Sequence, residues 1–400
     1  MANLYLILLC LFNILFASGH PIARYLFVFI FGLNCFWTVK LLKMSQPIYI
    51  KRLNVLLGMF IVYGLVSIFQ GNRFIILMVG KEIDATIYLI SILKSILPIY
   101  AIYYLFRIGK LSNTSVDIWM PIFILSAIIQ FFLAGIMIIN SGHNAATLVN
   151  NSGYMFMSLI PLLFFIKNIK LKWLYLIIIY AFCLLSMKRG AMLIGTLGVG
   201  YVVYKEISLA SRKIKIRLFY SVSILIIIIG IGFAKLYNDN EFFRYRIEAT
   251  MEGNTSRRDV IYEEIYAYFL NKETIVEQLI GKGADATLTI GENYAHNDWL
   301  EILIDNGLLG ILIFISYWIG FYRQVKRFKK SHYRAAFFLI FVMGLLKTFF
   351  SMYYTSIATP MAFATGLCLC QLNIKRNNES NIPSKPCKAL RSHQPGIEYS

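Results

Sequence analysis

One long polar segment, residues 235–298, contains the side chains best suited to chemistry on an anionic substrate. It holds four arginines in its first part, and a guanidinium group binds phosphate through two parallel hydrogen bonds. They are Arg244, Arg246, Arg257 and Arg258. His296 stands near the far end of the segment, and an imidazole with an ordinary pKa of about 6.5 suits general base catalysis. The segment therefore combines anion-binding cations with a base.

The stretch from Ser256 to Asp259 has the Ser-x-x-Asp spacing of a helix start, with Ser256 as the N-cap. Arg257 and Arg258 would lie in the first turn, where unpaired backbone N–H groups attract anions and disfavour cations. A bound anion would compensate for two cations in such a place. The alternative is a solvated pair neutralised by nearby acids, which are Asp259, Glu263 and Glu264.

A polar stripe follows His296 on the next apolar helix. Asn297, Glu301 and Asp305 are spaced four residues apart, with Asp298 alongside. Because acids inside a membrane avoid lipid, we expect the stripe to face a wet, protein-lined cavity with His296 at its mouth. The alternative for His296 is an interfacial residue that hydrogen-bonds headgroups or a loop carbonyl.

Arg189 lies between two apolar runs, beside Lys188. A single Lys-Arg pair in this position is ordinarily an interfacial anchor of a membrane helix. The pair Gly281 and Gly283 is most simply a turn, because no phosphate-binding glycine pattern surrounds it.

The composition is that of a membrane protein. Of 400 residues 58% are hydrophobic and only 15% charged, and long apolar runs recur along the chain. The net charge of +19 resembles that of a nucleic-acid-binding protein, but the basic residues lie between the apolar runs, as membrane topology requires. We therefore expect contact with a lipid bilayer and none with nucleic acid.

The pattern predicts an all-α polytopic membrane protein with about 12 spans. Residues 1–234 would hold nine spans, 235–298 a large outward loop, 299–372 three spans and 373–400 a disordered tail. The first apolar run lacks a basic n-region, so it is interpreted as a span and not as a signal peptide. The spans are 3–18, 24–39, 53–69, 86–106, 118–138, 152–166, 173–187, 190–204, 218–234, 299–322, 335–351 and 357–372.

Lys and Arg also predict the orientation. With both ends of the chain on one side, that side receives 25 of the 39 basic residues and the opposite side 12. Excess positive charge marks the cytoplasm, so both termini are expected there and the long loop outside. No His, Cys and Asp group has the spacing of metal ligands. Neither a metal nor a cofactor is expected.

Four stretches of this sequence together resemble the O-antigen polymerase and O-antigen ligase superfamily of bacterial membrane proteins. They are Lys-Arg-Gly at 188–190, Ser-Arg-Arg-Asp-Val-Ile-Tyr at 256–262, Gly-Lys-Gly at 281–283 and Ala-His-Asn-Asp-Trp-Leu-Glu at 295–301, which continues to Gly310. The layout of a large outward loop before span ten is similar as well. The last block is the most specific of the four.

The resemblance implies an inverting, metal-independent glycosyltransferase with a GT-C-like helical fold. It places a catalytic histidine at His296 and two catalytic arginines at Arg189 and Arg258. The family pattern has an aromatic residue four positions after the second arginine, which Tyr262 supplies. The position before it, small in the family, is Arg257 in this sequence. Further substrate contacts are expected from Arg257, Arg244, Arg246, Asn297, Asp298 and Glu301.

The implied donor is an undecaprenyl-diphosphate-linked oligosaccharide at the periplasmic face of the bacterial inner membrane. A polymerase adds repeat units to the glycan, whereas a ligase transfers the glycan to lipid A core, and the His-Asn-Asp-Trp-Leu-Glu block is more similar to the polymerase version. A chain-length regulator and a flippase would be partners in the pathway. The alternatives are a lipid-linked sugar transporter and a non-catalytic scaffold, although no internal repeat typical of transporters is visible.

Overall fold

A computed structural model describes residues 1–76, 81–140, 149–209, 215–216, 223, 227, 230–235, 237–252, 258–291, 294–329 and 331–379. Within these ranges it does not describe the side chains of 73–76, 81–82, 137–140, 209, 246, 250 and 373–379. The described chain is almost entirely helical. This confirms the coarse prediction of an all-α membrane protein.

The first half of the chain contains α1 to α8, a 3-10 helix and one β-hairpin. Their bounds are α1 Ala2–Ala17, α2 Ile22–Leu42, α3 Ile48–Phe69, β1 Arg73–Ile76, β2 Lys81–Asp84, α4 Ala85–Arg107, α5 Ser115–Asn140, α6 Gly153–Met157, the 3-10 helix Ile160–Phe165, α7 Ile169–Leu185 and α8 Arg189–Leu209.

The second half contains α9 to α14 and a further 3-10 helix. Their bounds are α9 Glu241–Met251, α10 Arg258–Asn271, α11 Ile275–Ile280, the 3-10 helix Ala286–Thr289, α12 Asp298–Arg327, α13 His332–Phe350 and α14 Thr359–Glu379. Several starts are capped by short polar side chains, which satisfy backbone N–H groups that the helix leaves open. Asn297 and Ser331 cap α12 and α13, and Thr274 forms a capping box with Glu277 on α11.

Six of the described helices are long and apolar enough to cross a membrane. They are Ile22–Leu42, Ile48–Phe69, Ala85–Arg107, Ser115–Ile136 within α5, Asp298–Arg327 and His332–Phe350. Large apolar side chains such as Phe29, Val62 and Leu312 are exposed on them. In a membrane helix such side chains face lipid, where their exposure costs nothing.

One predicted span does not form a continuous helix in the described residues. The stretch 152–166 forms the five-residue α6 and then a 3-10 helix, and residues 153–164 are all buried. Pro161 at the start of the 3-10 helix lacks a backbone N–H and interrupts α-helical bonding. The predicted span 218–234 lies largely outside the described residues and stays a prediction.

The hairpin is a feature that the all-α prediction missed. β1 and β2 pair antiparallel, with Arg73 opposite Asp84 and Ile76 opposite Lys81. Asp84 then accepts hydrogen bonds from the backbone N–H groups of Thr86 (2.9 Å) and Ile87 (3.1 Å), and so caps α4. Strands this short carry too little periodicity for sequence reasoning to detect.

The chain forms two compact units. The first comprises Met1–Ile30, Leu105–Asn254 and Cys370–Ser400, and the second Phe31–Tyr104 and Thr255–Leu369. In the first unit, α5 packs on α1, and Phe156 of α6 stacks on Phe182 of α7 at 4.7 Å between ring centres. In the second, α12 packs along α3 and α13 around an aromatic core that includes Tyr49, Tyr317 and Phe321.

Candidate active site

A kink in α12 organises the second unit. Gly307 interrupts the helix with φ 64° and ψ −166°, a conformation that glycine alone adopts readily. The carbonyls of Ile304 and Asp305 then accept hydrogen bonds from the backbone N–H groups of Lys282 (2.9 Å) and Gly283 (3.0 Å). The Gly-Lys-Gly turn at 281–283 is thus joined by backbone hydrogen bonds to α12 just before its kink at Gly307.

Glycine is required on both sides of this contact. A Cβ atom on Gly281 would lie 2.3 Å from the Asp305 carbonyl oxygen, and one on Gly307 would lie 2.5 Å from the Gly281 nitrogen. Gly281 and Gly283 both have positive φ. The prediction of a turn at these glycines is confirmed, and the turn docks the described residues of the segment 281–297, which are 281–291 and 294–297, on α12.

The polar stripe of α12 faces that segment. Glu301 is 1% exposed and accepts hydrogen bonds from the Ala295 backbone N–H at 2.6 Å, the His296 backbone N–H and the Thr287 hydroxyl. Asp305 accepts from the Asp285 backbone N–H at 3.1 Å. The cavity expected beside the stripe is therefore occupied by the protein's own backbone, because buried carboxylates need donors and the segment supplies them.

Several polar atoms at this contact remain unsatisfied in the described structure. Asp285 Oδ2, Asp305 Oδ1 and both amide atoms of Asn306 are buried without a hydrogen-bond partner among the described residues. The pKa of Asp285 is raised to about 7, mainly by burial; a hydrogen bond from Tyr294 lowers it and the charge of Asp84 raises it. The Tyr294 hydroxyl pKa is likewise raised by burial and by Asp285.

His296 sits between the docked segment and α12. Its backbone is left-handed, with φ 53°, and its side chain is half-buried. Asn297 follows as the N-cap of α12, accepting the Trp299 backbone N–H at 3.0 Å. Because Glu301 holds the backbone of Ala295 and His296 and Asn297 begins the helix, the position of the imidazole is set from both sides.

The last turn of α13 is a second anchor for this region. The Trp299 indole N–H donates to the Thr348 hydroxyl at 2.9 Å, and the indole stacks on Phe349 at 5.7 Å. Asp298, fully buried, accepts the Tyr353 backbone N–H at 2.9 and 3.1 Å. The start of α12 is thereby fastened to the end of α13 and to the chain that follows it.

Arg258 contacts the same turn of α13. Its Nη1 donates to the Phe350 carbonyl at 3.1 Å, and the Tyr262 hydroxyl donates to the Phe349 carbonyl at 3.5 Å. A guanidinium at a helix C-terminus satisfies an open carbonyl and offsets the negative end of the helix dipole. Arg258 is thus half-buried and anchored by a neighbouring helix, a contact that neither sequence interpretation anticipated.

An apolar cluster binds α10 to the His296 segment. It consists of Ile265, Phe269, Ala286, Ala295 and Ile304, with Ile261, Ile290, Leu300 and Leu303 packed against it. Ala295 directly precedes His296, and Ile265 and Phe269 lie on the helix that Arg258 begins. Arg258 and His296 therefore belong to one packed assembly, joined by this cluster and by the end of α13.

The other predicted residues are placed elsewhere or lie outside the description. Arg189 begins α8 in the first unit, just after Met187 with its left-handed φ of 50°, and Arg244 lies on α9 in the same unit. Arg257 lies outside the described residues, as does the side chain of Arg246. The joint action of Arg189 with Arg258 and His296 stays a prediction, as do the substrate contacts of Asn297, Asp298 and Glu301.

Sequence reasoning missed several residues that build the site. Thr287 and Asp285 of the segment, and Tyr353 beyond α13, have no motif that marks them. The ammonium of Lys347 on α13 donates to the Ser356 carbonyl and hydroxyl at 2.8 Å each. Among the described residues no group of three or more His, Cys, Asp or Glu could hold a metal ion.

No protein-family model matches the chain, and no curated protein is detectably similar to it.

Proposed function

We propose that this protein is a membrane-embedded glycosyltransferase of the O-antigen polymerase type. It would join undecaprenyl-diphosphate-linked oligosaccharide units at the periplasmic face of the bacterial inner membrane. One observation carries the proposal beyond the sequence resemblance. A half-buried histidine is held in a left-handed backbone conformation at the start of α12, within the same packed assembly as Arg258.

The geometry around His296 supports a role as a base. Its neighbours Asp298 and Glu301 are buried and engaged with backbone N–H groups, so they support the loop and do not compete for the substrate proton. Left-handed backbone in a non-glycine residue costs on the order of 1 kcal/mol and is often retained where function requires it. We assign His296 the role of general base on the acceptor hydroxyl.

Arg258 supplies a cation for the diphosphate of the donor. Its bond to Phe350 uses one of the five N–H donors of a guanidinium, and the remainder of the fork suits a diphosphate. The anchor also restricts the rotamers of a long side chain, which lowers the entropy lost when substrate binds. Arg189, from the first unit, is assigned a second diphosphate contact on the strength of the sequence resemblance.

The reaction is a single displacement at the anomeric carbon. The acceptor oxygen bonds to that carbon while its proton passes to His296. The bond from the same carbon to the diphosphate oxygen breaks, and undecaprenyl diphosphate leaves with the bonding electrons. Arg258 and Arg189 stabilise the charge that develops on the leaving group. Attack from the face opposite the leaving group inverts the configuration.

The test uses a source strain that lacks this gene, with surface glycan separated by length on a gel. A polymerase defect leaves single repeat units on lipid A core and no ladder. Loss of all core-attached glycan, with long lipid-linked chains accumulating, would show a ligase instead. An unchanged ladder contradicts both activities. Complementation with His296→Ala should fail, whereas complementation with His20→Ala, which removes an exposed histidine after α1, should restore the ladder.

A further inference from the structure

The short helix α11 has an inverted distribution of side chains. Its four apolar residues, Ile275, Val276, Leu279 and Ile280, are all exposed, with Ile275 at 76% and Val276 at 63%. Its two polar residues are half-buried and used locally: Glu277 completes the capping box with Thr274, and Gln278 donates to the Phe269 carbonyl at 2.8 Å. Such an arrangement is unfavourable in water and favourable where the surroundings are apolar.

The exposed apolar face of α11 continues onto two candidate membrane spans. The Leu279 backbone packs directly against Gly307 of α12, after which Leu308, Leu309 and Leu312 are exposed. On the other side, the Tyr63 hydroxyl of α3 donates to the Ile280 carbonyl. Because the exposed faces of α3 and α12 are the surfaces that meet lipid, the face of α11 is an extension of the lipid-facing surface.

The length of α12 indicates the depth in the membrane at which α11 lies. Its 30 residues exceed the roughly 20 that a helix needs to cross the hydrocarbon core. The part after the kink, from Leu308 to Arg327, is itself about 30 Å long at a rise of about 1.5 Å per residue, and it ends in Lys326 and Arg327. With that part placed across the hydrocarbon core, the kink and α11 beside it lie at the boundary between hydrocarbon and headgroups.

Residues typical of that boundary surround α11. The ammonium groups of Lys272 and Lys282 lie 5.9 and 4.7 Å from the centre of the Tyr268 ring. Lysine and tyrosine are favoured at the level of lipid headgroups, where an apolar stem and a polar tip are both accommodated.

We propose that α11 is a membrane-surface anchor whose apolar face lies in the lipid of the bilayer. Through the backbone pairing of Lys282 and Gly283 with α12, the anchor holds the segment 281–297 and His296 at the membrane surface. The lipid contact does not depend on the glycosyltransferase activity.

The experiment places a fluorescent label on α11 in nanodiscs of phosphatidylcholine and phosphatidylglycerol. Val276→Cys, in a background with the native cysteines replaced, carries an environment-sensitive dye. Lipids brominated near the glycerol end of their acyl chains should quench it several-fold more strongly than aqueous iodide does. Ile275→Cys provides a second reporter, and thermal unfolding checks that each labelled protein is folded.

Two sites calibrate the measurement. Leu312→Cys, on the exposed face of α12, defines the response of a lipid-facing label, and Glu264→Cys, exposed on α10, defines that of a water-facing one. Quenching of Val276→Cys by iodide, as at Glu264→Cys, would overturn the proposal. So would a label shielded from both quenchers, because a protein surface, either a partner or a second copy, would then cover the helix.

Discussion

At the scale of single residues, His296 combines a chemical role with an unusual backbone. Histidine, asparagine and aspartate are several-fold enriched among non-glycine residues with positive φ, so its type suits the conformation as well as the chemistry. The two contributions can be separated by substitution, since asparagine preserves the backbone preference and removes the base.

His296→Asn should therefore lower glycosyl transfer by at least about 100-fold while thermal unfolding changes by less than about 0.5 kcal/mol. His296→Ala should lose the same activity and also about 1 kcal/mol of stability, because alanine disfavours φ near +53°. Transfer assays with purified protein and calorimetry check both variants. An active His296→Asn protein would exclude His296 as the base.

Asp285 links stability to pH. Its pKa is raised to about 7 in the folded protein by burial, against an ordinary value of about 3.9 in the unfolded chain. Between these values the folded protein binds more protons than the unfolded chain, so stability falls as pH rises. The effect should be complete above about pH 7, where both states are ionised.

Asp285→Asn should remove this dependence. Asparagine tolerates the left-handed φ of 59° and keeps the side chain uncharged. We expect the melting temperature of the variant relative to the natural protein to increase from pH 4 to pH 7 and then level off. The difference corresponds to a few kcal/mol at most. Burial also raises the pKa of Glu273 to about 7. Glu273 is present in both proteins, so its effect on stability cancels in the difference between them. A difference independent of pH would contradict the assignment.

At the scale of elements, the kink of α12 decides how the segment 281–297 is held. A continuous helix would keep the carbonyls of Ile304 and Asp305 within its own bonding pattern, and Lys282 and Gly283 would lose their partners. The site is thus assembled by an interruption of one helix and not by a separate loop structure.

Gly307→Ala should lower stability by at least about 2 kcal/mol, because the new Cβ meets backbone at 2.5 Å and φ of 64° is strained for alanine. Gly58→Ala is the matched control. Gly58 lies within α3 of the same unit and its Cβ position has nothing within 4 Å, so the change should stay within about 1 kcal/mol. Thermal unfolding in detergent compares them, and equal losses would mean that the kink is not the stabilising feature.

At the scale of the whole molecule, the distribution of Lys and Arg predicts the topology. Alkaline phosphatase inserted after Glu252 should be active, because that enzyme folds only outside the cytoplasm, and insertion after Lys329 should leave it inactive. Green fluorescent protein fused at Ser400 should fluoresce. Enzyme assays and fluorescence on whole cells measure both. The reverse pattern would place the segment 235–298 in the cytoplasm and exclude a periplasmic reaction.

The sequence by itself determined the helical membrane class, because apolar runs and interspersed basic residues are properties of composition and order. It also marked His296, Arg258 and the Gly-Lys-Gly turn at 281–283, since each belongs to a local pattern. It predicted a helix that starts at Ser256, and α10 is described from Arg258 onward, whereas Ser256 itself lies outside the described residues. Helix positions can be predicted from local patterns because the hydrogen bonds within a helix join residues that are close in sequence.

Only the tertiary structure decided what those residues contact. The anchor of Arg258 on Phe350 joins residues 92 positions apart, and that of Asp298 on Tyr353 joins residues 55 apart. Glu301 and Asp305 were expected to line a cavity, yet they accept hydrogen bonds from backbone N–H groups, which any sequence carries, and Glu301 accepts one from the Thr287 hydroxyl as well. Hydrogen bonds between residues far apart in the chain cannot be recognised from residue type. The buried contacts that hold the candidate site in place could therefore not be derived from the sequence.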